Sequence, residues 1–148
     1  MAMTTTPTRE DAQIRERMDA LVRALGAKDI NTLMAHYAPD MVTFDFRPPL
    51  QVLGADAYRK NFEAWFASVQ GPIDYELRGL RITMSDDVAF CHYLGHVKST
   101  RTTGETADYW VRVTSGFQKM NGQWMVTHEH VSAPIDMETM QAALDLQP

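Results

Sequence analysis

Asp45 is a carboxylate whose position in the sequence suits a catalytic base. It stands near the end of a predicted strand, between Phe44 and Phe46. Apolar neighbours desolvate a carboxylate and raise its pKa, which makes it a better base near neutral pH. The alternative is an Asp in water at a turn, because Pro48 and Pro49 follow immediately. In the first interpretation, Asp45 is the best candidate base of the chain.

Glu129 lies in the last long predicted strand, where side chains alternate between two faces. Alternation places it with Met125, Thr127 and Val131. The opposite face then holds Trp124, Val126, His128, His130 and Ser132. A buried Glu needs a partner or a proton. We expect that partner among side chains of neighbouring strands, namely Arg112, His92 and His96. The alternative is a surface Glu in an ion pair.

His128 and His130 place two imidazoles on one strand face, about 7 Å apart by strand rise. In one interpretation they are half of a metal site, and a third ligand would have to come from His92, His96, Asp45 or Glu129. The alternative is a pair of histidines hydrogen-bonded at a sheet face or at a dimer interface. We favour that alternative and predict that the protein needs no metal, because no full ligand pattern is present.

Tyr109 lies on the penultimate long strand and shares a face with Val111 and Val113. Its hydroxyl could donate a hydrogen bond to a ligand carbonyl, or its ring could simply pack in the sheet. Cys91 stands in an apolar stretch and is interpreted as a small buried hydrophobic residue, not as a nucleophile.

Composition and charge exclude several classes of function. The net charge is −5 and the Lys and Arg residues are scattered, which argues against nucleic-acid binding. No apolar run approaches the length of about 18 residues that a membrane span needs. The start of the chain does not resemble a signal peptide, and the only cysteine cannot form an intrachain disulfide, so we expect a cytoplasmic protein. No phosphate loop, nucleophile elbow or dinucleotide fingerprint is present, so no cofactor is predicted.

Three helices are predicted in the first half of the chain. Residues 1–9 are expected to be a disordered lead, and residues 10–148 a single domain. Apolar residues at helical spacing mark the first helix, with a capping box at Thr8 and a stop at Gly26. A short second helix runs from Ile30 to Tyr37. The third begins at a capping Asp56, carries an aromatic face, and ends at residues 71–72.

Strands dominate the second half. After a strand over residues 41–46, four strands are predicted at residues 73–85, 88–101, 107–119 and 123–132. Asn121-Gly122 is a strong hairpin signal, and Gly79 is a candidate bulge. A short tail helix is predicted after Asp136. Helices followed by a run of hairpin-connected strands indicate an α+β domain, in which a curved sheet closes over the helices and forms a pocket.

Three segments carry a resemblance to a known superfamily. They are AKDINTLMAHYAPDMVTFDF, DDVAFCHYLGHV and DYWVRVTSGFQKMNGQWMVTHEHVSAPID. Over residues 10–136 the chain resembles the NTF2-like superfamily in its SnoaL-like, ketosteroid-isomerase-like branch. It is also similar to the association domain of calcium/calmodulin-dependent kinases. The resemblance implies an α+β cone: a curved antiparallel sheet wrapped around N-terminal helices that enclose a pocket.

The resemblance also implies where pocket residues lie. Asp45 falls where ketosteroid isomerases keep their catalytic Asp base. Tyr109 and Val111, and Thr127 and Val131 with the intervening Glu129, fall on the cavity face. The two oxyanion donors of that isomerase fall at Leu21 and Val113, so its usual mechanism is not expected here. Two arginine positions of the kinase domain's pocket fall at Ser115 and Val131, so that pocket chemistry is not expected either.

The expected function is cofactor-free acid/base catalysis on a small apolar molecule, of an isomerase, cyclase or dehydratase type. Asp45 is the predicted base, and Glu129, His92 and Tyr109 are candidate acids or orienting donors. The alternative is a non-catalytic ligand-binding or assembly domain. Either way we expect a homodimer that packs through the outer face of the sheet, because Trp110, Trp124 and other apolar residues there need a partner.

Overall fold

The computed structural model describes residues 9–148. The predicted capping box at Thr8 and the predicted disordered lead lie outside the described residues, apart from Arg9, which begins the first helix. The elements, in chain order, are α1 (Arg9–Gly26), α2 (Ile30–Met34), β1 (Tyr37–Phe44), β2 (Val52–Leu53), α3 (Ala55–Ala67), β3 (Val69–Met84), β4 (Val88–Arg101), β5 (Thr106–Met120), β6 (Gln123–Ser132), β7 (Ile135–Asp136) and β8 (Gln141–Ala142).

Six strands form one curved sheet in the order β2-β1-β6-β5-β4-β3. Strands β3 to β6 are long antiparallel neighbours joined by short turns. The turn between β5 and β6 has positive φ at both Asn121 and Gly122, as a two-residue hairpin requires. Strand β1 is distant in sequence from β6 and pairs with it in parallel. The predicted α+β class and its curved sheet are confirmed.

The core lies between the helices and one face of this sheet, called the inner face below. Helix α1 buries Ile14, Met18, Leu21 and Leu25. Helix α3 buries the aromatic face predicted for it: Tyr58, Phe62 and Phe66. The outer face of the sheet is not covered by a helix of the described chain. None of the described helices combines the length and the apolar character that crossing a membrane requires.

Several predicted element boundaries were wrong. Tyr37 begins strand β1 and is not part of the second helix, because Pro39 and Asp40 lie within an extended strand. Gly54, not Asp56, is the N-cap of α3, and Asp56 lies in the first helical turn. Strand β3 begins at Val69 and runs through the Gly-Pro pair that was expected to end the helix before it.

The predicted tail helix is absent from the described chain. Residues Ile135–Asp136 and Gln141–Ala142 form a small hairpin instead. The Asp136 carboxylate does accept hydrogen bonds from the backbone N–H groups of Glu138 and Thr139, as an N-cap would. Those bonds close a turn that leads back into a strand, because no long apolar face is present to stabilise a helix there.

A bulge in β6 changes the faces predicted for that strand. The register with β5 shifts between Gly116 and Phe117, so Thr127 is an extra residue. As a result, Trp124 and Val126 point to the inner face, and so does Glu129 on the other side of the bulge. The prediction that Trp124 lies on the outer face was therefore wrong: it is a core residue. The predicted bulge at Gly79 is confirmed by a second register shift, in β3.

Candidate functional site

A cavity of about 550 Å³ opens between the helices and the inner face of the sheet. This volume is in the range of small-molecule pockets, about 300–1,000 Å³. Most of its wall is apolar or aromatic, contributed by α1, α3 and the inner-facing residues of β4 to β6: Leu21, Leu25, Phe62, Trp65, Val97, Val111, Val113 and Val131. A ligand enclosed here would be mostly desolvated, so each polar group on the wall has a large electrostatic effect.

Glu129 is a carboxyl group at the buried end of this cavity and is only 5% exposed. Three hydroxyls from three elements donate to it. The Tyr58 hydroxyl of α3 lies 2.9 Å from Oε1, the Tyr37 hydroxyl of β1 lies 3.2 Å from Oε1, and Ser115 Oγ of β5 lies 3.2 Å from Oε2. Ser115 and Glu129 are direct cross-strand partners, so the register of β5 and β6 sets this contact.

The pKa of Glu129 is raised above its ordinary value. Burial is the largest cause, and the negative charge of Asp45 adds to it. The three hydroxyl donors act in the opposite direction, because they stabilise the charged form. Glu129 is therefore a carboxyl group that holds its proton more tightly than a solvated Glu, in contact with two tyrosine hydroxyls.

The predicted inward orientation of Glu129 is confirmed, but its predicted partners were wrong. Arg112 lies on the outer face and donates to Ser132 Oγ at 3.1 Å. His96 is also on the outer face, where its ring stacks on Trp110. Alternation along β4 and β5 turns these side chains away from the cavity, so hydroxyls take the place that charged partners were expected to fill.

Asp45 immediately follows the end of β1 and lines the same cavity. It is half-buried, and this burial raises its pKa above the ordinary Asp value. One backbone hydrogen bond, from the N–H of Phe46 at 2.9 Å, and the positive charge of Arg47 oppose the shift. The geometry brings two carboxyl groups with raised pKa values to one mostly apolar cavity.

Tyrosine hydroxyls supply most of the remaining polar surface of the cavity. Tyr75 and Tyr93 face each other with their hydroxyls 3.4 Å apart. Tyr109 lines the cavity nearer its mouth, with its ring 5.9 Å from that of Phe46. Burial raises the pKa of all three phenols, so they remain protonated hydrogen-bond donors at neutral pH.

Comparison with known proteins identifies the family. The family model of the SnoaL-like domain matches residues 14–136. The chain belongs to the SnoaL-like family. It is similar to an NTF2-like protein of unknown function from Pseudomonas putida KT2440, with 35% sequence identity, a TM-score of 0.85, and 94% of this chain and 96% of that chain covered. No curated protein matches the chain.

Two more distant structures show the same fold. A ketosteroid isomerase-like protein from Erwinia carotovora atroseptica has 23% identity and a TM-score of 0.73, with 84% of this chain and 96% of that chain covered. The association domain of CaMKII from C. elegans has 18% identity and a TM-score of 0.66, with 84% of this chain and 95% of that chain covered. At these identities the likeness shows the NTF2-like fold alone.

The SnoaL-like cavity has no polar group at the two positions where the resemblance to ketosteroid isomerases would place oxyanion donors. Leu21 and Val113 both line the cavity with apolar side chains. The donors present are instead Tyr37 and Tyr58, which contact Glu129 from other elements. This SnoaL-like cavity therefore has a polar end, but its polar residues stand at other positions than the oxyanion donors of ketosteroid isomerases.

The histidines of the sheet lie outside the cavity. His92 is exposed on the outer face, because its neighbours Cys91 and Tyr93 point inward, so it does not join Asp45, Glu129 and Tyr109. His128 Nδ1 lies 2.7 Å from the carbonyl oxygen of Val42, which matches the predicted sheet-face hydrogen bond. Among residues 9–148, no three His, Cys, Asp or Glu side chains are grouped to hold a metal.

Cys91 is fully buried on the inner face, as the sequence predicted. Burial raises the pKa of its thiol to about 12, so the thiolate needed for nucleophilic attack is scarce at neutral pH.

Four tyrosines of the site were not predicted from the sequence. Tyr37 was assigned to a helix face, and Tyr58 was counted only as part of an aromatic helix. Tyr93 shares strand phase with the buried Cys91, which was the available signal for its inward direction. The inward direction of Tyr75 can be predicted only when its pairing with the buried Val97 is known. Thr127, expected in the cavity, is displaced by the bulge and is not among the lining residues.

Proposed function

We propose that this SnoaL-like protein binds a small, mainly apolar molecule in the cavity and acts on it by general acid/base catalysis. The observation that carries the proposal is the pair of carboxyl groups, Asp45 and Glu129, whose pKa values are both raised by burial in one apolar cavity. Titratable groups with shifted pKa values that converge on a pocket are typical of acid/base sites. The reaction class is isomerisation, cyclisation or dehydration.

Asp45 is the base in this proposal. It is less buried than Glu129 and accepts a single hydrogen bond within residues 9–148, so one carboxylate oxygen is available to remove a proton from a carbon of the ligand. Burial raises its pKa, which makes its carboxylate a stronger base than that of a solvated Asp.

Glu129 and Tyr58 form the acidic end. When Glu129 holds its proton, it donates to the Tyr58 oxygen, and the Tyr58 hydroxyl is then free to donate to a ligand oxygen. Negative charge that develops on that oxygen would be stabilised in a water-poor site, where such hydrogen bonds are strongest. Tyr109 orients the ligand nearer the mouth. His92 has no role in this scheme, because it lies on the other side of the sheet.

The test uses proton exchange, because it requires the base without requiring the natural substrate. In D2O, the protons next to the carbonyl of 2-tetralone are followed by NMR. We expect the wild type to accelerate their exchange and Asp45→Asn to lose about 10²–10⁴-fold of that acceleration. Asp40→Asn, an exposed Asp in β1, is the matched control and should behave as wild type. Equal exchange by wild type and Asp45→Asn would reject Asp45 as the base.

A non-catalytic ligand-binding or assembly role is the second candidate. It is favoured by the outer face of the sheet, where Phe44 and Phe90 are 39% and 46% exposed, and by the fold shared with an association domain. The homodimer expected from the sequence belongs to both candidates. Binding of a ligand with no exchange in any variant would favour this second role.

A further inference from the structure

Two arginines, Arg47 and Arg101, stand at the mouth of the cavity. Arg47 follows Phe46 in the segment after β1, and Arg101 is the last residue of β4. Both line the cavity and both are exposed, so their guanidinium groups form part of its rim. The chain therefore supplies two positive charges to the rim from two separate elements.

Both positive charges act on the same group. Arg47, Arg101 and Tyr109 all line the cavity, and the charge of each arginine favours the charged form of the Tyr109 phenol and lowers its pKa. Neither guanidinium has an ion pair or a hydrogen bond within residues 9–148. Two unpaired guanidinium groups and a phenol donor that face one opening are suited to an anion, which arginine binds through charge-assisted hydrogen bonds.

Besides Glu129, three carboxylates line the cavity, namely Asp45, Glu105 and Asp108, but within residues 9–148 none of them forms an ion pair with Arg47 or Arg101. Asp108 Oδ1 lies 2.6 Å from His96 Nε2, so this carboxylate is turned towards the outer face of the sheet. Glu105 lies on the turn after Arg101 and lines the cavity, but it makes no ion pair with either arginine. Asp45 weakens the field of Arg47 from inside the cavity. Among the described residues, Arg47 and Arg101 are the positively charged side chains that line the cavity, so a ligand carboxylate is placed at the rim and not beside Glu129.

We propose that the ligand of this cavity is an amphipathic carboxylic acid. Its apolar ring or chain lies against the aromatic and aliphatic wall, and its carboxylate lies at the rim between Arg47 and Arg101, with Tyr109 as a further donor. This inference rests on the proposed function in that it concerns the same cavity, and it adds the chemical class of the ligand. The acid's uncharged end then points to Tyr58 and Glu129.

Binding of matched probes tests this assignment. Calorimetry compares 2-naphthoate with 2-naphthamide, and decanoate with decanamide, so that each pair differs in charge and little in shape. We expect at least one acid to bind wild type about tenfold more tightly than its amide, a difference of about 1.4 kcal/mol. Arg47→Gln and Arg101→Gln should each reduce that ratio, and the double variant should bring it to about one while leaving amide binding unchanged.

Two further variants sharpen the test. Arg81→Gln removes a positive charge from an exposed position of β3 outside the cavity and should keep the wild-type ratio. Glu105→Gln should raise the ratio, because it removes a negative charge from the rim. The proposal is overturned if wild type binds no acid, if acid and amide bind equally in both pairs, or if the double arginine variant retains the preference.

The outcome is separable from that of the proton-exchange test. Probe binding needs no turnover, and Asp45→Asn should keep or increase the preference for the acid, because a nearby negative charge is removed. An acid preference without proton exchange would reject catalysis and keep the ligand class. Proton exchange without an acid preference would keep the proposed catalysis and reject the carboxylic acid as the ligand class.

Discussion

Glu129 is a carboxyl group at a position where most proteins would place an apolar side chain. Burial of a carboxylate is costly unless hydrogen bonds replace the lost water. Here Tyr37, Tyr58 and Ser115 supply three donors, and the remaining cost appears as a raised pKa. Asp45 shows the same effect with a single backbone donor. Two costly residues that face one cavity are better explained by a function of the site than by stability of the fold.

Substitutions of Glu129 are predicted to change the stability of the protein. Glu129→Ala leaves three buried hydroxyls without their acceptor and opens a void, so we expect a loss of about 2–4 kcal/mol in the free energy of unfolding. Glu129→Gln keeps the shape and one acceptor oxygen, so we expect a smaller loss. Urea melts of both variants measure this. Near-wild-type stability of Glu129→Ala would mean that the three hydrogen bonds do not form in solution.

The second prediction concerns the pH dependence of Asp45. Because its pKa is raised on folding, the folded state holds the proton more tightly than the unfolded chain. The contribution of Asp45 to stability therefore falls as pH rises from its ordinary pKa of 3.8 to the folded value, and then stays constant. Asp45→Asn keeps the acceptor for the Phe46 N–H and removes this pH-dependent loss of stability.

We expect Asp45→Asn to be more stable than wild type at pH 7, with a difference that shrinks as the pH is lowered towards 3.8. Denaturant melts across this pH range provide the check, with Asp40→Asn as a control that shows no such trend. A stability difference that does not change with pH would mean that Asp45 has an ordinary pKa.

At the scale of elements, strands β4 and β6 were predicted at their observed bounds, because alternation and turn residues are local signals. The inward side of β6 was predicted correctly only for the part that contains Glu129. The bulge at Thr127 puts Trp124 on the opposite face from the one that simple alternation predicts, and no residue type near Thr127 indicates a bulge. Strand β1 was predicted to begin at residue 41 and not at Tyr37, because Tyr37 fits a helical pattern. The pairing of β1 with β6 is a long-range contact that local patterns do not show.

The parts of the site that could be predicted are again those set by local sequence, and the parts that could not are set by long-range contacts. Asp45 could be found from its phenylalanine neighbours, and Glu129 from strand phase. The contacts of Glu129 with Tyr37 and Tyr58 join elements that are far apart in the sequence. The parallel pairing of β1 with β6 sets the Tyr37 contact, and packing of α3 on the sheet sets the Tyr58 contact. Strand alternation determines neither of them.

Strand β4 offers an element-scale prediction at Gly95. A Cβ at this position would lie 2.6 Å from the Tyr75 hydroxyl oxygen, so a methyl group would push that ring and weaken its contact with Tyr93. We expect Gly95→Ala to reduce stability by about 1–3 kcal/mol. Gly116→Ala is the matched control in β5, because its Cβ would have its nearest neighbour at 3.7 Å. Equal melting of the two variants in urea would contradict the close approach of Tyr75.

At the scale of the whole molecule, the outer face of the sheet is the surface that a second copy would cover. Trp124 no longer supports this idea, since it is buried in the core. Phe44 and Phe90 are exposed on this face, whereas Trp110 is half-buried beside the His96 ring and the Arg78 guanidinium. Exposed aromatic residues on a broad sheet face are typical of an interface between subunits.

We predict a homodimer that Phe90→Glu dissociates, because two carboxylates would be brought to an apolar interface. Light scattering at micromolar concentration measures the mass. Leu50→Glu is the control, because Leu50 is 94% exposed and belongs to the segment between β1 and β2, outside the strands of the sheet. A monomeric mass for wild type, or a dimer that withstands Phe90→Glu, would reject this interface.

The proposed chemistry requires that Asp45 and Glu129 are a pair of carboxyl groups with raised pKa values in one cavity. A carbon-13 NMR pH titration of the two side-chain carboxyls tests it most directly. We predict that both titrate above their ordinary values of 3.8 and 4.5, and that Asp45→Asn lowers the pKa of Glu129, because the charge of Asp45 raises it. Ordinary pKa values for both groups, or a Glu129 titration unchanged by Asp45→Asn, would contradict the account.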